Sequence, residues 1–325
     1  MIMPSPFLKS IQNEIRLRGY SYKTEKSYLG WIRQFIYFNN KQHPQNLGTE
    51  EVKSFLTFLA VDRHVAVNTQ KSALNALVFM YDKVLKQPLG EIGFTLATKQ
   101  RSLPLVLSEL EVQTVLKQLK DGNKLAVALM YGSGLRVSEC LNLRLHDIDF
   151  DQNALRIINS KENKDRVTLL SPRLFGAVRQ LIEQAIVVQK NDNLLGIGSS
   201  MPPALGRKYP NAFRSPGWAF LFPSTTTCLH PISKIECRHH LHPSVIRKAL
   251  KLAVSQAGIF KRVTCHTFRH SFATHMLSNG TDIRTVQDLL GHNDVKTTQI
   301  YTHVLGQHYA GTDSPLNRLD FDEDI

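Results

Sequence analysis

From the amino terminus to about residue 90 the apolar side chains return at the interval of an α-helix, and then that pattern stops. Tyr28, Trp31, Ile32, Phe35 and Ile36 form one stripe, and Val52, Phe55, Leu56 and Leu59 form a second behind a Thr49 cap. Leu74, Leu77, Val78, Tyr81 and Leu85 form a third. Such stripes bury against one another, so a small helical bundle is expected, with Lys23, Lys26, Arg33, Lys41, Lys71 and Lys83 outside it. The stretch from Pro88 to Pro104 holds two prolines, two glycines and little periodicity, the composition of a linker. The expected division is a helical domain at 1–90, a linker at 91–107 and a second domain at 108–325. A chain of 325 residues, 42% of them hydrophobic, exceeds what one core usually absorbs.

The second domain reads as mixed. Ser108 and Glu111 have the spacing of a capping box, a helix is expected near Leu125–Met130, and Gly132-Ser133-Gly134 marks a tight turn that launches another short helix. Leu155–Ile158 and Val167–Leu170 flank a polar turn, as in a β-hairpin. A long helix follows from Pro172, with Leu174, Val178, Leu181, Ile182 and Ala185 on one face. Helical patterns return at Val245–Ala257, Thr267–Ser278 and Ile283–Leu290, so the fold class is mainly α with a small β-sheet, α+β. Residues 191–243 are rich in proline, glycine, serine, histidine and aromatics and read as irregular; loops of that length are usually functional or disordered.

Lysine and arginine number 40 against 27 aspartates and glutamates, a net +13 spread along the chain. That excess points to a polyanionic partner, nucleic acid ahead of membrane. No run approaches the ~18 apolar residues of a membrane span. Cys140, Cys228, Cys237 and Cys265 follow no paired framework, and the amino terminus lacks a leader pattern, so reduced thiols in a bacterial-type cytoplasm are expected.

Three short segments carry the chemistry: Gly132-Ser133-Gly134-Leu135-Arg136-Val137-Ser138-Glu139, then His266-Thr267-Phe268-Arg269-His270, then Leu289-Leu290-Gly291-His292 with Tyr301 nine residues on. In this order, with Lys161 in the hairpin turn between the first and second, they resemble the tyrosine recombinase (phage integrase) family. The resemblance covers nearly the whole chain. It implies an N-terminal helical-bundle, SAM-like core-binding domain that clamps DNA, and a C-terminal tyrosine recombinase catalytic domain. It implies a catalytic set of Arg136, Lys161, His266, Arg269, His292 and the nucleophile Tyr301.

The residue types suit the reaction. A phosphodiester under attack gains charge on its non-bridging oxygens, and two arginines can donate paired N–H bonds there and replace a metal. No cofactor, metal or ATP is then required, because a phosphotyrosine conserves the bond energy for rejoining. Ionising a phenol of pKa near 10 at pH 7 costs ~4 kcal/mol, which nearby cations and a base must offset; His266 and His292 are candidates for that help. By resemblance Lys161 protonates the leaving 5′ oxygen. The sequence has Ser160-Lys161-Glu162 where the family commonly has a glycine on either side of the lysine, which leaves Lys164 as an alternative. Glu139 and Asp147 read as structural, holding the arginine and nearby backbone, and His270 and His303 as supporting or lining residues.

Within the family, the stretch 191–243 resembles the additional domain of integron integrases, which capture gene cassettes by binding a folded single strand with extruded bases. An extruded base offers a π face and an edge, and Trp218, Pro231, His239 and His240 match the positions that read it in those enzymes. The resemblance implies recombination between folded attC-type hairpins and attC or duplex attI sites. It also implies a homo-tetramer on DNA that exchanges a carboxy-terminal segment, in which Val304, Leu305, Tyr309, Pro315, Leu316 and Leu319 are an apolar anchor and Asp320–Asp324 a solvated end. A phage-type or chromosome-resolving recombinase acting on duplex sites is the nearest alternative, and a non-catalytic DNA-binding regulator a more distant one. Cys228, His230, Cys237, His239, His240 and His242 lie close in sequence, but their spacings are not those of common zinc sites, so no metal is expected.

Overall fold

The computed structural model describes residues 5–90, 93, 104–158, 165–295 and 297–301. The chain divides into two compact units, 1–101 and 102–325.

The first unit contains four α-helices, α1 (Pro6–Leu17), α2 (Tyr22–Phe38), α3 (Thr49–Val61) and α4 (Val67–Phe79), the last running into a π-helical turn at Met80–Leu85. Helix α1, which the apolar stripes did not single out, starts on a Ser5 cap with Pro6 in its first turn. It adds Ile11 and Ile15 to a core built with Ile32, Phe35, Val52, Phe55, Leu56 and Leu77. The expected cap of α3 lies one residue earlier: Thr49 is already helical, and the Glu51 carboxylate accepts the Gly48 amide at 2.7 Å.

In the second unit, α5 (Glu109–Gln118) begins with the expected capping box. Ser108 N–H donates to Glu111 Oε2 at 2.8 Å, and Glu111 N–H to Ser108 Oγ at 3.2 Å. Helix α6 (Asp121–Gly132) leads through Gly134, at φ +63°, into α7 (Val137–Asn142). A three-stranded antiparallel sheet follows, in the order β1 (Ile148–Asp149), β2 (Ala154–Ile157), β3 (Arg166–Leu169), with Ile157 paired to Arg166 where the hairpin opens. The long α8 (Phe175–Leu194) buries Val178 and Ala185 as the stripe predicted.

The segment expected to be irregular is largely ordered. Helix α8 itself continues to Leu194; then come α9 (Pro203–Lys208), two 3₁₀ turns at Ala212–Arg214 and Pro216–Trp218, and an antiparallel pair, β4 (Pro223–Leu229) and β5 (Glu236–His240). Polar side chains hold it in place, which is why hydrophobic periodicity missed it. Arg238 donates to both oxygens of Asp192 at 2.5 and 2.6 Å, its amide donates to Gly198 O and its carbonyl accepts from Ser200 N, both at 2.8 Å. Gln189 bridges Phe213 O and Ser199 Oγ at 2.7 and 2.8 Å. Leu221 and Phe222, beside these turns, are buried in the main core.

The unit closes with α10 (Pro243–Gln256), α11 (Cys265–Ser278) and α12 (Ile283–Leu290). Phe268, Leu250 and Ile246 join α6 and α7 in one core, whereas Phe272, Ala273, Val286 and Leu290 form a smaller one around Tyr301. The fold is thus mainly helical with small sheets, as the sequence pattern predicted.

Candidate active site

Arg136 stands where the Gly134 turn enters α7, and Glu139 one helical turn later reaches back to it. Glu139 accepts the Arg136 amide at 2.8 Å and its Nη1 at 2.7 Å. The same carboxylate accepts two bonds from Arg166 of β3, at 2.8 and 3.1 Å, and lies 3.6 Å from Arg269 Nη1. Burial alone would raise the Glu139 pKa, but Arg166 and Arg136 hold it down to about 2. Among the described residues, the ion pairs around this carboxylate bring three guanidinium groups to one negative charge. Such a gathering of cations suits a second anion, such as a phosphodiester.

Arg269 is 3% exposed on α11 and is fixed by carbonyls from two other segments, donating to Gly134 O at 2.6 Å and Leu290 O at 2.7 Å. Burial and the neighbouring Arg136 lower its pKa to about 10, so it stays charged at neutral pH. Its Nη2 is also 3.1 Å from His292 Nε2. A guanidinium can only donate, so Nε2 carries a lone pair and the proton sits on Nδ1, which faces Thr298 Oγ1 at 3.0 Å. Burial and Arg269 together push His292 down to about 3. Gly291 ends α12 at φ +66°, and a Cβ there would lie 2.8 Å from Arg166 Cδ.

Tyr301 is 1% exposed, its ring parallel to that of His292 with centroids 6.5 Å apart. Burial raises the phenol pKa, while Arg269 and Arg136 oppose the rise. Its hydroxyl meets His270 Nδ1 at 2.8 Å. Burial, then His266 and Arg269, lower His270 to about 4, so it is neutral at pH 7. His266 is exposed in the first turn of α11, its ring centroid 6.5 Å from that of His270.

The structure therefore gathers Arg136, Glu139, Arg269, His270, His292 and Tyr301 into one neighbourhood joined by hydrogen bonds, an ion pair and the His292–Tyr301 ring contact, with His266 at its edge. Lys161 and Lys164 lie outside the described residues; the strand residue that closes their hairpin, Arg166, touches Glu139. His303 is also outside them. Asp147 does not hold Arg136: its Oδ2 accepts the amide of Arg144, at the start of the neighbouring 3₁₀ turn.

Sequence reasoning missed two residues here, Arg166 and Thr298, and named His270 as supporting or lining without its partner. Arg166 ties β3 to α7 and, through Leu289 O at 2.9 Å, to α12. Thr298 accepts from the Nδ1 proton that Arg269 dictates for His292, and His270 bonds the Tyr301 hydroxyl directly, within the supporting role expected of it. Only the i, i+4 placement of His266 and His270 on one helix hinted at the last.

A second cluster lies in the ordered insertion. Arg144 stacks on Phe220 and Trp218, with its guanidinium carbon 4.2 and 5.2 Å from the ring centroids, and donates to Trp218 O and Ser200 O. His239 stacks on Phe220 at 5.4 Å and 11°, and His240 meets His239 edge-on at 4.1 Å. Burial lowers both imidazole pKa values, His239 to about 4. Trp218, His239 and His240 thus share one aromatic group, whereas Pro231 sits in the turn at the far end of the β4–β5 ladder. A cavity of ≈ 400 Å³ lined by Tyr209, Phe213, His230 and Ile235 lies beside that turn, and another of ≈ 400 Å³ borders Trp218, His146 and Arg156. Among the described residues, no three His, Cys, Asp or Glu side chains converge on a metal-sized point.

A buried arginine cluster beside a phenol, on a mainly helical unit preceded by a separate helical bundle, defines a class of enzyme that breaks and rejoins DNA. Residues 106–308 match the phage integrase family, and residues 7–91 match the phage integrase N-terminal SAM-like domain. The chain belongs to this family and is a tyrosine-type site-specific recombinase. It is 44% identical over 316 residues to an integrase/recombinase of Escherichia coli, covering 96% of this chain and 93% of the relative. It is 30% identical to the tyrosine recombinase XerC of Lactobacillus delbrueckii subsp. bulgaricus, covering 95% and 96%. In fold it is similar to the Tn1549 transposon integrase in complex with transposon right end DNA, with a TM-score of 0.60 at 14% identity over 94% of this chain and 99% of that one. XerH bound to difH gives a TM-score of 0.58 at 18% identity over 94% and 84%. Among the described residues no helix is long and apolar enough to cross a membrane.

Proposed function

We propose that this recombinase is an integron integrase, cutting and rejoining folded attC-type hairpins and duplex attI sites through Tyr301. Arg136 and Arg269 hold the non-bridging oxygens of the scissile phosphate. The Tyr301 oxygen bonds to phosphorus as the bond to the 5′ oxygen breaks, leaving a 3′-phosphotyrosine. The phenol proton passes to His270, and Lys161, with Lys164 as its alternate, delivers a proton to the departing oxygen. His266 and His292 complete the phosphate's surroundings, and Glu139 keeps the arginines in place. Attack by the freed 5′ hydroxyl of a second strand reverses these steps and restores the phenol.

The observation that carries the chemistry is the meeting of Arg136, Arg269, His292 and Tyr301, from separate chain segments, around one ion-pair cluster. The choice of substrate rests on the ordered insertion, where Trp218, His239 and His240 present aromatic faces and Pro231 lies beside a concave apolar wall. Cavities of ≈ 400 Å³ fall within the ~300–1,000 Å³ of small-ligand sites and are ample for a nucleobase. Four subunits assemble on the paired sites and exchange their carboxy-terminal segments, whose residues 302–325 lie outside the described ones. All four cysteines are unbridged, which suits a reducing cytoplasm.

The test is a covalent-adduct gel with labelled bottom-strand hairpin, top-strand hairpin and perfect duplex. Wild-type protein is expected to form most adduct with one folded strand, and Tyr301→Phe to bind DNA yet form none. Trp218→Ala and the double variant His239→Ala, His240→Ala are expected to lose the hairpin preference. A preference for perfect duplex that survives these changes would leave a chromosome-resolving or phage-type enzyme. Adduct from the Tyr301→Phe protein would remove the nucleophile.

A further inference from the structure

Phe260 is 103% exposed, so its ring packs against no described residue, and the next most exposed large apolar side chain among the described residues is Leu194 at 86%. Scattered apolar residues on a surface are ordinary, but the setting of this one is not. It sits in the short connection between α10 and α11, where Gly258 at φ +67° turns the chain after the α10 cap. Lys261 and Arg262 follow it directly, and His266 of the phosphate site is six residues on.

Beside this turn lies a cleft of ≈ 540 Å³. Arg247 and Lys251, one turn apart on α10, line it with Lys261 and Arg262, and it is bounded by Val137 and His266. Among the described residues no carboxylate lines it. Lys261 is paired with Glu111 at 2.7 Å, while Arg247, Lys251 and Arg262 form no salt bridge with another described residue. Val137 adjoins Arg136, so the cleft opens next to the cluster that holds the scissile phosphate.

We propose that this cleft takes the DNA backbone next to the cleaved phosphodiester, and that Phe260 is a wedge whose ring stacks on a base there. The inference rests on Arg136 and Arg269 holding the scissile phosphate, and is independent of the hairpin-or-duplex choice. Three cations with no salt bridge to another described residue match a run of phosphates, each contact releasing about one condensed counterion. An apolar ring carried among them meets base faces, which are sequence-tolerant stacking partners, and proteins use such wedges to unstack one base step. A protein partner would need the ring's rim to be less cationic.

The probe is the DNA that gives adduct with wild-type protein, carrying 2-aminopurine at successive positions around the cleavage point and bound to the Tyr301→Phe protein. Fluorescence is expected to rise at one position. Phe260→Ala should abolish the rise and weaken binding about tenfold, while Phe260→Tyr should keep both. The double variant Lys251→Gln, Arg262→Gln should reduce the slope of log affinity against log salt by about two. A signal identical in wild type and Phe260→Ala overturns the wedge, as does Phe260→Ala altering only subunit assembly on DNA. Wild-type protein forming no adduct with any DNA tells instead against the phosphate-site reading.

Discussion

His270 Nδ1 lies 2.8 Å from the hydroxyl of Tyr301. Because His270 is neutral until about pH 4, Nδ1 can carry the lone pair that receives the phenol proton. We predict that His270→Phe, which keeps a ring but removes the acceptor, slows adduct formation by about 10²-fold or more. Affinity for DNA should change less than about twofold. A time course on a suicide substrate measures the rate, and an unchanged rate would return the proton to His266 or to solvent.

Three histidines make the fold sensitive to mild acid. His270 and His239 are lowered to about 4 and His292 to about 3, against an ordinary value of 6.5. Between pH 4 and 6.5 the unfolded chain therefore binds more protons than the folded one, and stability rises with pH across that window. Glu139, lowered to about 2, loses its contribution only below the ordinary carboxylate range. We predict that going from pH 7.5 to 5 costs about 1–2 kcal/mol for each of the three imidazoles. Urea unfolding at the two pH values checks this, and His239→Gln should flatten the dependence; equal midpoints at pH 5 and 7.5 would refute it.

Glu139 is a counter-charge shared by Arg136, Arg166 and Arg269. Removing it leaves buried cations facing one another, which typically costs about 3–5 kcal/mol. We predict that Glu139→Gln lowers the thermal midpoint of the catalytic unit accordingly and loosens DNA cleavage with it. Added inorganic phosphate should recover part of the lost stability in the variant by supplying negative charge to the guanidiniums in place of the lost carboxylate charge. No loss of stability would show that the cluster needs no internal anion.

Gly134 is required for two separate reasons. Its φ of +63° is strained for any residue with a Cβ, and that atom would lie 2.6 Å from the Phe272 ring, in the small core around Tyr301. Its carbonyl also accepts from Arg269. We predict that Gly134→Ala destabilises the protein by about 2–4 kcal/mol through backbone strain and overpacking. Cleavage should fall more than DNA affinity, as Arg269 shifts. A variant with wild-type melting and cleavage would mean that the Phe272 ring swings aside freely.

What the sequence disclosed and what it hid separate on physical grounds. Arg136, Arg269, His292 and Tyr301 were singled out through the resemblance of three short segments to the tyrosine recombinase family, and their residue types suit phosphoryl chemistry. Arg166, Thr298 and the role of His270 were hidden because each acts on a partner that only the crossing of β3, α11 and α12 supplies. The hairpin and α8 followed from periodicity, but the order within 191–243 did not. There Arg238, Asp192 and Gln189 do the holding, and a polar clamp leaves no apolar rhythm to read. Helix α1 contributes only Ile11 and Ile15 as fully buried anchors, too few to stand out as a stripe.

The grip of Arg238 on Asp192 anchors β5 to the far end of α8, and Leu221 N–H, donating to Leu143 O at 2.8 Å, fastens the preceding turn to the segment after α7. These bonds tie the aromatic group at Trp218 to the segment after α7, the helix that Arg136 caps. On the cassette-hairpin reading the enzyme is then a calliper: its two jaws are a fixed distance apart, and where it nicks follows from how far along the stem the irregularity falls. Lengthening the stem by one base pair between the two features should move the nick, or forbid it, whatever letters that pair contains.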